Sequence, residues 1–245
     1  MTTSSFSSAS PCIVEGVEPL LTELPQPISL NVLNADHPDR WRPEQFVRSV
    51  FKQCYDADIR AFYPTLLAFT LQAELLGVAG FRDGHGQALF SEQYLDQPLE
   101  QLIGAHWAEP VERGRIVEVG NLALANPGQA RWVIAAVTMF LHAAGYRWVL
   151  FTAVKPLINA FGRLGLNPIA LASADPTRLA DDGQHWGSYY ATNPLVCVGD
   201  IDAGYRKLVN SAGARQPLLQ TLLDQVQRYA AASAQPLPTV FEGTA

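Results

Sequence analysis

Glu118 stands inside an otherwise apolar run, Ile116-Val117-Glu118-Val119-Gly120-Asn121-Leu122-Ala123-Leu124. Burying a carboxylate is costly unless it is paired or its pKa rises, and a raised pKa is what a general base needs near neutral pH. Glu118 is therefore a candidate base; the alternative is that it faces outward and pairs with Arg113 or Arg115. Gly128, Gln129, Ala130 and Arg131 follow where the run gives way to a second apolar segment. At a helix N-terminus, orphan N–H groups and the positive end of the dipole favour an anion such as a pyrophosphate, and Arg131 could add a charge-assisted contact. The competing reading is an ordinary strand-to-helix turn that needs a glycine. Glu92, Tyr94 and Asp96 sit beside apolar residues in the segment Leu89–Asp96, which either lines a cleft or forms a helix turn with solvated acids.

Other chemistries find less support. The histidines His37, His85, His106, His142 and His185 are scattered, and Cys12, Cys54 and Cys197 lie far apart. Neither a metal site nor a disulfide framework is expected from that spacing. Ser188, in Trp186-Gly187-Ser188-Tyr189-Tyr190, lacks the G-x-S-x-G elbow of a serine hydrolase. No GxGxxG or GxxxxGKS run is present.

The elements that must position these residues can be read from run length and punctuation. Ile116 to Leu124 is a strand ended by Asn126-Pro127-Gly128; Gln129 to Ala144 lacks period-2 alternation and ends at Gly145, a natural helix C-cap; Tyr146 to Ala153 is again a strand. Strand, crossover helix and strand form a parallel βαβ unit, and a helix through Lys155 to Leu166 follows. Upstream, Ile28 to Leu33 is a strand, Pro43 to Tyr55 an amphipathic helix, Pro64–Phe69 and Leu75–Phe81 a hairpin weakened by Gly77 and Gly80, Arg82 to Gly86 a loop, and Pro98 to Trp107 a short helix. Downstream, Asn167 to Leu171 is a strand, and Trp186–Tyr190 with Leu195–Val198 reads as late strands or an aromatic-lined hairpin. The expected organisation is a flexible arm over 1–27, one α/β (α+β) domain over 28–204, and an amphipathic helix with a tail over 205–245.

The chain has 245 residues, 48% hydrophobic and 16% charged, values of a globular protein. A net charge of −6 gives no basic footprint for nucleic acid. The run Trp132–Ala144 is too short to cross a bilayer, and the N-terminal residues do not resemble a signal peptide. The expectation is a cytoplasmic protein without a transmembrane segment.

The central unit resembles the acyl-CoA-binding core of GNAT N-acyltransferases, in which strand, phosphate loop, helix, splayed strand and helix follow in this order. That family's loop pattern, Arg/Gln-x-x-Gly-x-Gly/Ala, matches Ala125-Asn126-Pro127-Gly128-Gln129-Ala130 at its last two marked positions and fails at the first. Asn159-Ala160-Phe161 echoes a downstream motif, with Phe161 where the family often has a general-acid tyrosine. More specifically, His37-Pro38-Asp39-Arg40, Tyr63-Pro64-Thr65-Leu66-Leu67, Ser91-Glu92-Gln93-Tyr94-Leu95-Asp96, Ile116–Ala123, Arg147–Ala153, Phe161–Leu166, Ala174-Asp175-Pro176 and Trp186–Tyr190, in order, resemble the thermostable haemolysin family. That family is similar in turn to acyl-homoserine lactone synthases.

The resemblance implies a GNAT-like central mixed sheet with splayed strands flanked by helices. It also implies an acyltransferase without a permanently bound cofactor, which moves an acyl group from acyl-CoA or an acyl-carrier-protein thioester to a small amine. In that reading Glu118 is the base, directly or through water, Asn121 or the backbone of its strand polarises the thioester carbonyl, Glu92, Tyr94 and Asp96 face the acceptor, and Leu122, Ala123, Leu124, Gly128, Gln129, Ala130, Arg131 and Asn159 hold the donor. The rival expectations are a membrane-active lytic protein, touching lipid through Trp186–Tyr190 or Leu218–Tyr229, and a non-catalytic acyl or carrier-protein module. Lysis through a lipid-like acyl product would reconcile the family name with an enzyme.

Overall fold

A computed structural model describes residues 28–211. Seven strands form one sheet in the order β1-β2-β3-β4-β5-β7-β6. They are β1 (Ser29–Leu33), β2 (Thr65–Leu71), β3 (Glu74–Asp83), β4 (Ile116–Leu124), β5 (Trp148–Ala153), β6 (Ile169–Ser173) and β7 (Leu195–Asp200). The helices are α1 (Trp41–Tyr55), α2 (Leu99–Trp107), α3 (Ala130–Ala143), α4 (Lys155–Arg163) and α5 (Ile201–Ser211). β4 and β5 pair in parallel and every other neighbouring pair is antiparallel. The expected βαβ unit is thus the centre of a mixed sheet.

Helix α3 explains why its sequence shows no polar face. Trp132, Val133, Ala136, Val137, Phe140 and Leu141 pack against the sheet with Phe81 and Val117, while Ile134, Ala135 and Met139 pack with Leu157, Ala160 and Leu208 from α4 and α5. Burial on both sides removes the need for alternation. The helix ends as its glycine foretold: Gly145 takes φ +86°, and the Gly145 and Tyr146 N–H groups return to the His142 and Leu141 carbonyls. On the opposite face, α1 buries Val47, Phe51 and Tyr55 against Leu66, Val78 and Ala123, and α2 buries Leu99 and Ile103 with Ile116, Trp148 and Leu150.

Several expectations change. Arg82 and Asp83 end β3, paired with Glu118 and Val117, and do not begin a loop. Trp186–Tyr190 is no strand: Trp186 ends the 3₁₀ turn Gln184–Trp186, Tyr190 begins the 3₁₀ turn Tyr190–Thr192, and turn residues join them. Gly187 has φ +53°, and a Cβ there would lie 2.0 Å from the Tyr55 carbonyl oxygen, so this segment folds tightly onto the end of α1. Cys197 is a buried free thiol. Helix α5 runs across the boundary expected at 204/205. The arm over 1–27 and the helix expected over Leu218–Tyr229 lie outside the described residues.

Candidate active site

β4 and β5 are paired only from Ile116–Val119 against Trp148–Phe151. Beyond Val119 the strands part, because β4 carries a bulge: Gly80 of β3 faces Gly120, yet Val78 faces Ala123, so the β4 side holds one extra residue. Asn121 absorbs the distortion at φ +48°, a left-handed conformation that asparagine tolerates better than most residues. The β5-facing edge of β4 from Gly120 to Leu124 is consequently paired with no strand. A cavity of about 490 Å³ occupies the opening. Its walls come from both layers, with Tyr63, Arg82 and Ser91 from one and Ile134, Leu157 and Phe161 from the other.

Glu118 has no exposed surface. Its carboxylate accepts the Phe90 N–H at 2.7 Å and the Ser91 N–H at 2.7 Å, so it caps the 3₁₀ turn Phe90–Tyr94. Burial pushes the carboxyl above the usual carboxylate range, against the opposing pull of the Ser91 hydroxyl, the two N–H groups and the Arg82 charge. The alternative that Glu118 faces outward and pairs with Arg113 or Arg115 is thereby excluded. Glu118 does not itself line the cavity. Two hydroxyl residues on the cavity wall adjoin it: Ser91, whose Oγ lies 3.1 Å from Thr152 Oγ1, and Tyr63, whose phenol is near enough to feel the Glu118 charge.

Tyr63 had no place in the sequence reading beyond its motif, yet three distant segments hold it. Its carbonyl accepts from Arg40 at 2.5 Å, and its N–H donates to Asn121 Oδ1 at 2.9 Å. Its ring lies in a slot opened by two facing glycines: a Cβ on Gly120 would approach the ring at 2.4 Å, and one on Gly80 would lie 2.9 Å from Tyr63 Cβ. Arg82 sits over the ring, 5.2 Å from its centroid. Burial, and then the nearby Glu118 charge, hold the phenol well above its usual range. Gly80, already a weak point in an expected strand, was the available sign; its partnership with Gly120 became visible only with the strand register.

The remaining expected residues are distributed as follows. Asn121 is near the opening, but its side-chain carbonyl is spent on Tyr63 N–H, so it clamps a loop. Glu92 forms a two-pronged pair with Arg113, 2.5 and 2.6 Å, and accepts the Leu89 N–H at 2.7 Å. Burial raises its carboxyl pKa, but the Arg113 and Leu89 bonds outweigh that and hold it below the usual range. Tyr94 hydroxyl meets Tyr190 hydroxyl at 2.6 Å, and Tyr94 lines the cavity. Asp96 pairs with Arg178. Leu122 and Leu124 line the cavity while Ala123 turns into the α1 core. Gly128 N–H donates to Asn126 Oδ1 at 2.9 Å, Gln129 N–H to the Asn126 carbonyl at 2.9 Å, and Ala130 N–H to the Pro127 carbonyl. Those donors are engaged within their own turn. Arg131 follows on the first turn of α3, and Asn159 lies on α4 away from the cavity lining. Phe161 stacks on Phe151 with ring centroids 4.9 Å apart. Among the described residues no cluster of metal-ligand type occurs.

A mixed sheet whose parallel middle strands part beyond a bulge, with helices on both faces, defines the GNAT-like acyltransferase fold. Within that class the family is specific: the model described as "Thermostable hemolysin" matches residues 33–205, and the chain belongs to that family. Among solved structures, the chain is similar to FeeM, an N-acyl amino acid synthase from uncultured soil microbes, with 14% identity, 75% of this chain and 96% of that chain covered, and a TM-score of 0.50. It is also similar to MesI, a CoA-dependent acyl-homoserine lactone synthase (14% identity, 76% and 95% covered, TM-score 0.48). An aminoglycoside acetyltransferase in complex with coenzyme A gives 13% identity, 73% and 98% covered, and a TM-score of 0.45. No curated protein matches the sequence.

Proposed function

We propose that the chain transfers an acyl group from a thioester, acyl-CoA or acyl carrier protein, to a small amine. The observation that carries this reading is the buried Glu118 carboxylate directly behind an open cavity at the β4–β5 parting, with Tyr63 and Ser91 lining that cavity and standing next to the carboxylate. The free β4 edge over Gly120–Leu124 offers backbone groups to an extended pantetheine arm, in the manner of an added strand. A diphosphate at Gly128–Arg131 would have to exchange the turn's internal bonds for bonds to ligand.

The amine attacks the thioester carbonyl; a C–N bond forms and the C–S bond breaks. As the amine gives up a proton to the Tyr63 oxygen, Tyr63 passes its own proton to Glu118. The leaving thiolate takes a proton from the same relay run in reverse, so the products are an amide and a free thiol. A phenol with so high a pKa never stays ionised, which suits a conductor better than a base. This relay gives Glu118 access that direct contact does not. It also assigns a hydroxyl near the reacting centre where Phe161 supplies none.

The lytic reading loses support. Trp186, Tyr189 and Tyr190, expected to meet lipid, pack among Phe51, Tyr55, Phe90 and Tyr94, with ring centroids 5.2–6.4 Å apart. Among the described residues no helix is long and apolar enough to cross a membrane. The test is thiol release from an acyl-CoA panel with mixed amines. Turnover supports the enzyme; liposome leakage by the purified protein without any turnover would replace it with the lytic alternative.

A further inference from the structure

Arg82 is out of keeping with the other buried or half-buried arginines. Arg40 pairs with Glu44 and caps three carbonyls, Arg113 holds Glu92 and Glu100, and Arg147 holds Asp200 and Asp202. Arg82 is half-buried on the cavity wall, where its guanidinium lies over the face of the Tyr63 ring and, among the described residues, makes no ion pair. A half-buried guanidinium that makes no ion pair has free donors facing the cavity, and its planar fork fits a carboxylate. Glu118 is the directly opposite partner of Arg82 across the β3–β4 ladder. The Glu118 carboxylate is engaged by two backbone N–H groups and feels the Arg82 charge, but no ion pair joins the two side chains, so the guanidinium fork keeps its donors for a ligand.

Directly opposed side chains on a ladder start about 5 Å apart, and the Tyr63 ring lies beneath Arg82, near enough to Glu118 to feel its charge. A proton-accepting hydroxyl and an unpaired guanidinium therefore face one cavity within the span of one small molecule. Resting on the acyl-transfer reading, we infer that the acceptor is an α-amino acid, whose amine meets Tyr63 and whose carboxylate pairs with Arg82. One carbon separates the two groups in such a molecule, which matches their close setting. The product is then an N-acyl amino acid, an anionic amphiphile when the acyl chain is long. Arg82 selects the acceptor; Glu118 and Tyr63 act on its amine.

The experiment compares phenylalanine with phenethylamine, which keeps the ring and amine and lacks the carboxylate, in thiol-release assays with octanoyl-CoA. Wild type is expected to favour phenylalanine, with Arg82→Gln raising KM for phenylalanine about 10- to 100-fold, the worth of one charge-assisted pair, and leaving KM for the thioester unchanged. Arg82→Lys should recover part of the loss. Equal use of both acceptors, or an Arg82→Gln effect confined to KM for octanoyl-CoA, would overturn the inference and leave acyl transfer standing. If no acceptor turns over, acyl transfer is what fails. Thermal shift with N-octanoyl-phenylalanine against its amide then decides Arg82 separately: stabilisation by the acid alone, lost in Arg82→Gln, supports the carboxylate site, and equal shifts refute it.

Discussion

Glu118 has no surface of its own in the cavity, so the proposed mechanism brings a proton to it through a neighbouring hydroxyl. Removing the Tyr63 hydroxyl while keeping its ring isolates that step. Tyr63→Phe should leave the fold intact, since the ring still fills the slot over Gly80 and Gly120, and should lower the thiol-release rate by about 10²-fold or more, the range of general acid–base help. The pH dependence follows from the direction of the Glu118 shift. Its folded-state pKa lies above the unfolded value, so the protonated form is favoured by folding; its ionisation takes stability away as pH rises from the ordinary carboxylate pKa to the raised one. The acid limb of the rate profile should accordingly fall above the ordinary glutamate range of about 4.3. Melting temperature scanned across that window should drop less for Glu118→Gln than for wild type. The same variant sets one amide NH₂ against a backbone N–H that the carboxylate now accepts, a loss of about 1–3 kcal/mol in any buffer.

The elements divide sharply in how far their sequences betray them. β4, α3 and β5 carry their own punctuation, Asn126-Pro127-Gly128 and Gly145, and emerged within a residue or two of their ends. The β2–β3 hairpin and α2 did the same. Trp186–Tyr190 did not, because an aromatic run has strand composition while Gly187 is set by its approach to Tyr55, 132 residues earlier in sequence by residue number. Tyr63 and Arg82 were missed for a related reason: their meaning lies in which residue stands across the ladder, and register is not written in either strand alone. Glu118, by contrast, was legible because an acid in an apolar strand is anomalous without any partner being known. The bulge gives this scale its own prediction. Gly120→Ala would put a Cβ 2.4 Å from Tyr63 Cε2, so it should displace the ring, cost about 1–3 kcal/mol by overpacking and reduce turnover as Tyr63→Phe does. Denaturant unfolding beside the rate assay checks both parts. Arg113→Met is the complementary case: it should loosen the Phe90–Tyr94 turn through Glu92, lowering stability more than rate per unit of protein that remains folded.

Across the whole molecule, the scattered motifs that suggested one family converge on one place. Arg40 and Asn121 hold the backbone of Tyr63, the turn beginning at Phe90 caps Glu118, and Tyr190 meets Tyr94. Residues spread from position 40 to position 190 thus serve a single cavity. If the product is an amphiphile, red-cell lysis should follow the organic extract of the reaction and not the washed protein, a distinction that a haemolysis assay on separated fractions reads directly. The most direct test of the central claim is the rate of thiol release from acyl-CoA, with an acceptor present, for wild type, Tyr63→Phe and Glu118→Gln, each shown to be folded. The relay predicts turnover by wild type and a loss of about 10²- to 10⁴-fold in both variants; wild-type rates in both would contradict it.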